Sequence, residues 1–352
     1  MSFGKTRVLV VDDSAIFRRF ISNTLATDPA IEVVGAAADP YEARDMILQL
    51  KPNVLTLDIE MPKMDGITFL KILSTQHPVP AVVFSSLSAQ GSQYALQALE
   101  AGAVDVLAKP SGGTFGADLA RELISKVKAA AGSTRIARPA PPSPLGVYAS
   151  AINNSRPGQI ILIGSSTGGT EALKDIIPVL PPNLPPICIV QHIPAGYSAA
   201  LAKRLNELSK LEVREAVDGE SLERGKVLIA PGDMHMVLVK RGADGYGVRL
   251  KQGPKVNQCR PSVDVLFESA APLVGNKAVA GILTGMGEDG ARGLLALRNA
   301  GSKTFAQDEK TCVVYGMPRK AFEAGGAQKQ VALGDIATHI VKCVAGTAAQ
   351  AR

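Results

Sequence analysis

The sequence predicts two α/β domains joined by a linker. We expect the first to be doubly wound around a parallel sheet. We expect the second to be mainly parallel and doubly wound, with a small antiparallel hairpin. The length of 352 residues corresponds to two or three domains of roughly 150 residues each. Short apolar runs also alternate with stretches of helical spacing on both sides of a proline-rich segment. We therefore expect domains at residues 1–131 and 158–352, with the linker at 132–157.

The first domain contains five short apolar runs that we expect to be strands. Nearly continuous apolar strands indicate a sheet covered on both faces, as in parallel α/β domains. Between the first two runs, Phe17, Phe20 and Ile21 have the spacing of one helix face. The five runs lie at residues 8–11, 32–37, 54–57, 81–84 and 104–108.

The second domain repeats this alternation and adds a hairpin. Four apolar runs at residues 159–163, 187–191, 226–230 and 279–284 are separated by helical patterns, which again indicates a parallel sheet. Two further runs, at 234–240 and 247–251, flank a glycine-containing turn at 242–245 and predict an antiparallel hairpin.

Charge is distributed unevenly between these parts. The chain has a formal net charge of +6, but residues 1–124 carry −4, residues 125–158 carry +5 and residues 159–352 carry +5. The linker combines arginines with clustered prolines, and such clusters make a linker semi-rigid. Its prolines are Pro139, Pro141, Pro142, Pro144 and Pro157.

A basic chain raises the possibility of a DNA-binding regulator, but the motifs argue against it. The C-terminal region shows neither a helix-turn-helix pattern nor a dense basic stripe, so we expect no DNA partner. The spacing of the four cysteines fits no zinc or thioredoxin motif, which favours reduced thiols. No signal peptide and no long apolar run is present. We expect a cytoplasmic protein that is not inserted in a membrane.

Polar side chains follow the strands of the first domain where each strand ends. The carboxyl ends of parallel strands share one sheet edge, so these groups should converge there. Clustered carboxylates suit Mg²⁺, and one of them could become an aspartyl-phosphate whose oxygens contact a lysine and a serine hydroxyl. The residues are Asp12 and Asp13, Asp58, Ser85 and Ser86, and Lys109.

These residues resemble a two-component receiver domain, which has a flavodoxin-like fold of five β-α units, over about residues 5–125. The similarity is carried by Val-Val-Asp-Asp-Ser, Leu-Asp-Ile-Glu-Met-Pro-Lys-Met-Asp-Gly, the serine pair and Lys-Pro. It implies that Asp58 accepts a phosphoryl group from a histidine kinase. It also implies that Mg²⁺ is bound by Asp12, Asp13, Asp58 and the backbone carbonyl of Glu60.

Two further positions of the receiver resemblance, the switch hydroxyl and the aromatic switch residue, are assigned from the residues at the ends of the fourth and fifth predicted strands. Ser85 directly follows its strand, so we favour it over Ser86 as the hydroxyl that contacts the phosphoryl group, alongside Lys109. The position usually held by an aromatic switch residue is Val106 or Leu107 here, which argues against an aromatic rotamer mechanism.

The second domain opens with a strand followed by Gly-Ser-Ser-Thr-Gly-Gly and a helical pattern. Gly164 and Gly168 flank Ser166 in the G-x-S-x-G arrangement, which exposes a nucleophilic serine at a tight strand–helix turn. A ligand-binding loop and a purely structural turn with capping residues remain alternatives. The dinucleotide motif fails at Ser166, and the P-loop motif fails because Thr170 replaces its lysine.

A serine nucleophile needs a base and an orienting acid. His192 directly follows the strand at 187–191 and should emerge beside Ser166, so we favour it over His235. The strand at 279–284 is followed by Glu288 and Asp289, either of which could orient the histidine. The order Ser, His, Asp differs from that of α/β-hydrolases and of both common serine proteases.

The second domain also resembles a known family, the CheB family of chemotaxis protein-glutamate methylesterases, from about residue 158 to 345. The motifs include Gly-Ser-Ser-Thr-Gly-Gly, Gln-His-Ile-Pro, Cys-Arg-Pro-Ser-Val-Asp-Val-Leu-Phe and Leu-Thr-Gly-Met-Gly-Glu-Asp-Gly. The resemblance implies Ser166 as nucleophile, His192 as base and Asp289 as orienting acid. It also implies the backbone N–H of Met286 in the oxyanion hole, with Thr167 nearby.

The resemblance further implies substrate, partners and control. The implied substrate is a glutamyl methyl ester on a methyl-accepting chemotaxis receptor, giving glutamate and methanol without a cofactor for the ester chemistry. Deamidation of receptor glutamines at the same site is also implied. Our hypothesis is that the receiver blocks the site until Asp58 is phosphorylated. A paralogue that acts on another methyl ester outside motility is the alternative.

Overall fold

The computed structural model describes residues 4–110, 116–133, 157–243 and 245–349. Two compact units divide the chain, Met1–Ser133 and Thr134–Arg352. The expected linker at 132–157 lies mostly outside the described residues. None of the described helices combines the length and the apolar character that crossing a bilayer requires.

The N-terminal unit is a five-stranded parallel sheet in the order β2-β1-β3-β4-β5, with helices between successive strands. The strands are β1 Thr6–Val11, β2 Ile31–Ala37, β3 Val54–Asp58, β4 Ala81–Ser85 and β5 Asp105–Ala108. The helices are α1 Ala15–Ala26, α2 Pro40–Leu50, α3 Gly66–Gln76, α4 Ala89–Glu100 and α5 Ala117–Ala131.

Side-chain caps set where these helices begin. Ser14 accepts a hydrogen bond from the backbone N–H of Phe17, and Asp39, Asp65 and Ser88 cap α2, α3 and α4 in the same way. Such caps satisfy backbone donors that a helix leaves unpaired at its N-terminus. Because β3 lies at the centre of the sheet, its last residue, Asp58, is held between two neighbouring strands.

The C-terminal unit contains a seven-stranded parallel sheet in the order β14-β13-β12-β6-β7-β9-β8, and a separate antiparallel hairpin, β10-β11. Its strands are β6 Ile160–Ser165, β7 Ile187–Gln191, β8 Glu212–Glu215, β9 Lys226–Ile229, β10 His235–Arg241, β11 Gly245–Lys251, β12 Ala278–Ile282, β13 Lys303–Gln307 and β14 Lys329–Val331. Its helices are α6 Gly169–Ile176, α7 Tyr197–Leu208, α8 Val263–Val274, α9 Ala291–Asn299, α10 Met317–Glu323 and α11 Leu333–Ala349.

The structure confirms the expected fold class: two doubly wound parallel sheets and one hairpin. Three strands of the second sheet were not predicted, namely β8, β13 and β14. They are only three to five residues long, and polar residues interrupt their apolar pattern. The three strands that matter for the site are neighbours, because β6 lies between β12 and β7.

Candidate active site and phosphoacceptor site

The acidic residues of the N-terminal unit converge at the carboxyl ends of its strands. Asp12 follows β1, Asp58 ends β3, and carboxylate oxygens of Asp12, Asp13 and Asp58 lie within 4.8 Å of one another. Lys109, after β5, places its Nζ 3.0 Å from Asp12 Oδ2 and 2.6 Å from Asp58 Oδ2. The structure therefore brings together the three carboxylates and the lysine that were predicted to share one site.

Negative charge is in excess at this cluster. Burial raises the pKa of Asp58 to about 6, the charge of Asp12 adds to the rise, and Lys109 opposes it incompletely. Burial also raises the pKa of Asp12. Apart from the ion-pair contacts with Lys109, the buried Oδ2 atoms of Asp12 and Asp58 accept no well-aligned hydrogen bond from the described residues. Oxygen ligands with spare negative charge fit a hard divalent cation such as Mg²⁺.

The other predicted residues of this cluster surround Asp58. The backbone N–H of Glu60 donates to Asp58 Oδ1 over 3.2 Å. Ser85 is buried at the end of β4, where its hydroxyl donates to the carbonyl of Gly91 over 2.7 Å. Ser86 Oγ instead lies 3.0 Å from Ser88 Oγ. In this conformation the Ser85 hydroxyl is engaged with α4, so contact with a phosphoryl group would require it to rotate.

In the C-terminal unit, three adjacent strands deliver the predicted serine, histidine and aspartate. Ser166 follows β6, His192 follows β7, and Asp289 lies in the loop between β12 and α9. The backbone holds these segments together, because the His192 N–H donates to the Ser165 carbonyl and the Ser166 N–H to the Thr284 carbonyl, each over 3.0 Å. All three side chains therefore belong to one edge of the sheet, as expected for parallel strands.

Asp289 contacts His192 directly, whereas the alternative acid, Glu288, is exposed. His192 Nε2 lies 2.8 Å from Asp289 Oδ2, and a carboxylate can only accept, so this nitrogen carries the proton. Burial alone would raise the pKa of Asp289, but the hydrogen bond and charge of His192, with Asn257 and Ser262, lower it to about 2. Asp289 is thus held as an anion.

The second ring nitrogen of His192 faces a residue that the sequence reasoning did not include. Cys259 Sγ lies 3.5 Å from His192 Nδ1. Burial alone would lower the pKa of His192, but Cys259 and Asp289 raise it to about 10. Ser166 is half-buried, and no hydrogen bond joins its hydroxyl to His192 or to any other described residue. The resting arrangement is therefore Cys259–His192–Asp289, with Ser166 to one side.

Gln191 was also missed. This buried side chain, at the end of β7, accepts a hydrogen bond from Ser165 Oγ over 2.6 Å. Its amide donates to the carbonyls of Ser166 and His192 over 2.9 and 3.0 Å. These hydrogen bonds connect the turn that contains Ser166 to the segment that contains His192. The available signal was a polar residue ending an otherwise apolar strand, directly before the histidine.

Close packing brings the turn after β12 against the serine. A Cβ atom added to Gly285 would lie 2.7 Å from Ser166 Cβ, so only glycine allows this approach. Met286, the next residue, therefore belongs to a segment adjacent to Ser166. Thr167 is buried, and its carbonyl accepts from Thr284 Oγ1 over 3.0 Å. The amino end of α6, just beyond, adds the positive end of a helix dipole.

The remaining histidines are occupied elsewhere. His235 Nε2 lies 2.9 Å from the carbonyl of Pro254, and its Nδ1 accepts from the Ser262 N–H over 3.2 Å. His339 packs edge-on against Phe305 in the C-terminal unit. His77 caps the end of α3 in the other unit. Among the four histidines, all of which lie in the described part of the chain, His192 is the one that contacts a carboxylate of the predicted set.

Comparison with known proteins matches each of the two units to a described type of domain. Residues 161–340 match the family model described as CheB methylesterase. The chain belongs to the CheB methylesterase family. Residues 8–114 match the response regulator receiver domain, a type of domain that implies phosphorylation.

Relatives in the CheB family are similar to this chain over nearly its whole length. A protein-glutamate methylesterase/protein-glutamine glutaminase of Syntrophus aciditrophicus is 48% identical over 97% of this chain and 100% of its own. One from Caulobacter vibrioides is 50% identical over 96% of this chain and 98% of its own. The CheB methylesterase catalytic domain of Thermotoga maritima has a TM-score of 0.52 and 42% identity, covering 53% of this chain and 99% of that one.

The receiver domain of this CheB-family protein should be more stable without the charge of Asp58. Burial raises the pKa of Asp58 from 3.8 to about 6, so ionisation costs stability as pH rises through this interval. Asp58→Asn mimics the neutral form, and we expect it to raise the free energy of unfolding at pH 7 by about 2–3 kcal/mol.

Urea unfolding at pH 7 and at pH 3.5 tests this expectation. The gain should vanish at the lower pH, where wild-type Asp58 is protonated. Exposed Asp45→Asn is the matched control and should change stability little. An equal gain at both pH values would contradict the electrostatic origin.

Proposed function

We propose that the protein is a protein-glutamate methylesterase/protein-glutamine glutaminase controlled by phosphorylation of its receiver domain. The observation that carries the proposal is the His192–Asp289 pair beside Ser166, in a chain whose nearly full-length relatives bear that name. The substrate would be a glutamyl methyl ester of a methyl-accepting chemotaxis receptor. A paralogue acting on another ester is not favoured, because the relatives match both domains.

The proposed chemistry is acyl transfer through a serine. Ser166 Oγ attacks the ester carbonyl while His192, in its deprotonated form, takes the serine proton at Nδ1, since Nε2 is committed to Asp289. Because the pKa of His192 is raised, the deprotonated fraction grows as pH rises. The resulting imidazolium protonates the departing methoxide, which leaves as methanol. Water, deprotonated by His192, then attacks the acyl-enzyme, and His192 returns the proton to Ser166 Oγ as glutamate is released. With a glutamine substrate the same steps release ammonia, so one site can serve both reactions.

Asp289 would orient the base and compensate its charge. Its carboxylate fixes the proton on Nε2 and faces the imidazolium that forms during each transfer. Ser166 Oγ is not hydrogen-bonded to His192 in the resting structure, so it must rotate towards Nδ1 when substrate binds. Catalytic hydrogen bonds often form only in the substrate complex. Backbone N–H of Met286, with Thr167 nearby, would stabilise the oxyanion, which the approach of Gly285 to Ser166 supports.

In the receiver, Asp58 would accept the phosphoryl group from a chemotaxis histidine kinase. Asp12, Asp13, Asp58 and the carbonyl of Glu60 would hold Mg²⁺, which neutralises phosphoryl charge when bound. Lys109 would contact a phosphoryl oxygen, and Ser85 would do so after leaving the Gly91 carbonyl. The domain limits we propose are 1–131 and 158–352, in a protein of the cytoplasm.

Ser166→Ala should abolish methanol release from methylated receptor while leaving phosphorylation of the receiver intact. The reason is that the variant removes only the nucleophilic oxygen, in a domain that does not contain Asp58. The measurement pairs a methanol assay with transfer of labelled phosphate. Retained esterase activity would overturn the assignment of Ser166 as nucleophile.

Phosphorylation should raise the rate of methanol release if the receiver restricts access to the site. We expect full-length protein to accelerate when it is phosphorylated, and Asp58→Ala to stay at the basal rate under the same conditions. The isolated fragment 158–352 should show the fast rate without any phosphodonor. Equal rates for Asp58→Ala, the fragment and phosphorylated protein would rule out gating.

Asp289→Asn should lower the maximal rate by about 10³–10⁴-fold, because the base would lose its orienting anion. Since Asp289 raises the pKa of His192, the rise of activity with pH should also move to lower pH in this variant. A pH–rate profile of methanol release measures both effects. Glu288→Gln, at the exposed neighbouring acid, is the control and should leave the profile unchanged.

A further inference from the structure

On the Nδ1 side of His192, a sulfur atom and a nitrogen atom that can both bind metal lie close together. Cys259 is half-buried and reduced, and its Sγ lies 3.5 Å from His192 Nδ1. Thiolate sulfur and imidazole nitrogen are preferred ligands of Zn²⁺, at about 2.3 and 2.0–2.1 Å. In a tetrahedral site these lengths separate the two ligand atoms by about 3.5 Å. The separation of the two donors is therefore compatible with their binding one zinc ion.

Asp289 would not be a metal ligand; it would support the ligating histidine from the other side of the ring. It contacts the opposite ring nitrogen, Nε2, and both of its oxygens are occupied by donors. These donors are the side chains of Asn257 and Ser262 and the backbone N–H groups of Val263 and Asp264. A carboxylate that holds the second nitrogen of a ligating histidine is the usual outer partner of protein-bound zinc, and it makes the histidine a stronger ligand.

The loop that carries Cys259 is held in place by contacts of its own. Asn257 and Gln258 have positive φ angles of 49° and 64°, and Val256 and Cys259 are joined by backbone hydrogen bonds. The Asn257 amide donates to Asp264 Oδ2 and Asp289 Oδ1, each over 2.8 Å. The same carboxylate thus anchors both ligand-bearing segments. A cation could bind Cys259 and His192 without rearranging the loop.

We propose that Cys259 Sγ and His192 Nδ1 bind Zn²⁺, with water in the remaining positions, and that the bound ion inhibits the enzyme. Binding would release the thiol proton, and any proton on Nδ1, to solvent. The metal would then occupy the lone pair that must accept the proton of Ser166. The inhibitory part of this proposal rests on the proposed function, whereas the existence of the site does not.

Another cysteine–histidine pair in the chain has the same spacing in different surroundings. Cys343 Sγ lies 3.5 Å from His339 Nε2 on α11, the same separation as at Cys259. No hydrogen bond or ion pair between His339 and a carboxylate is present among the described residues. Burial lowers the pKa of His339, as do three nearby lysines, Lys303, Lys329 and Lys342. This positive surrounding opposes a cation, so the pair is an internal control.

The site itself is tested by metal binding to the full-length protein, without any esterase assay. Co²⁺ is the probe, because thiolate ligation gives a sulfur-to-cobalt charge-transfer band, and Zn²⁺ should displace it. Excess Mg²⁺ is kept present to occupy the receiver carboxylates. We expect the band in wild type and in Cys343→Ser, and its loss in Cys259→Ser. A band that survives Cys259→Ser, or is absent from wild type, would overturn the site.

Inhibition is tested by methanol release at increasing free Zn²⁺, each variant being compared with its own metal-free rate. Cys259→Ser should raise the Zn²⁺ concentration for half-inhibition at least tenfold, and a chelator should restore the wild-type rate. Cys343→Ser should respond like wild type. Cobalt binding through Cys259 without inhibition would refute the inhibitory role. Absence of methanol release even without metal would refute the proposed function, while the cobalt spectrum would still decide the site.

Discussion

The buried carboxylate of Asp289 is the interaction on which the C-terminal site depends. A buried anion is costly unless it is paired and hydrogen-bonded, and this one faces His192 and four further donors. Those donors come from the loop that precedes α8 and from the first residues of that helix. Asp289 therefore joins three segments that are far apart in sequence. The orientation of the histidine and the position of Cys259 both follow from satisfying this one charge.

The two sites use aspartate in opposite ways. At Asp289, donors outweigh the cost of burial and hold the pKa at about 2, so the group stays an anion that orients its neighbour. At Asp58, burial and the charge of Asp12 outweigh Lys109 and raise the pKa to about 6. In the second arrangement the carboxylates repel one another, and a bound cation would relieve that repulsion. The number of donors around each carboxylate, together with the nearby charges, therefore decides whether a buried aspartate is held as an anion.

The residues of each predicted site lie together because parallel strands end at one edge of a sheet. The positions of Asp12, Asp58 and Lys109 at the ends of apolar runs were enough to predict that they converge, and the same pattern predicted Ser166 beside His192. Sequence reasoning could not choose which nitrogen of His192 faces Asp289, because that depends on side-chain torsions. Cys259 and Gln191 were missed for a related reason. Their contacts depend on a loop with two residues at positive φ and on a side chain that bridges two strand ends.

The commitment of Nε2 to Asp289 has a consequence for regulation. In the proposed mechanism only Nδ1 would be open to a proton from Ser166, and Cys259 already contacts that nitrogen. The Ser166 hydroxyl would therefore have to reach an atom that the Cys259 thiol also contacts. A stronger interaction between Cys259 and Nδ1 would make His192 a weaker base towards Ser166. Control by the receiver would act differently, by deciding whether substrate reaches the site. Substrate access and the basicity of His192 would then be regulated independently, because the first would depend on the state of the receiver and the second on the two sides of a single imidazole ring.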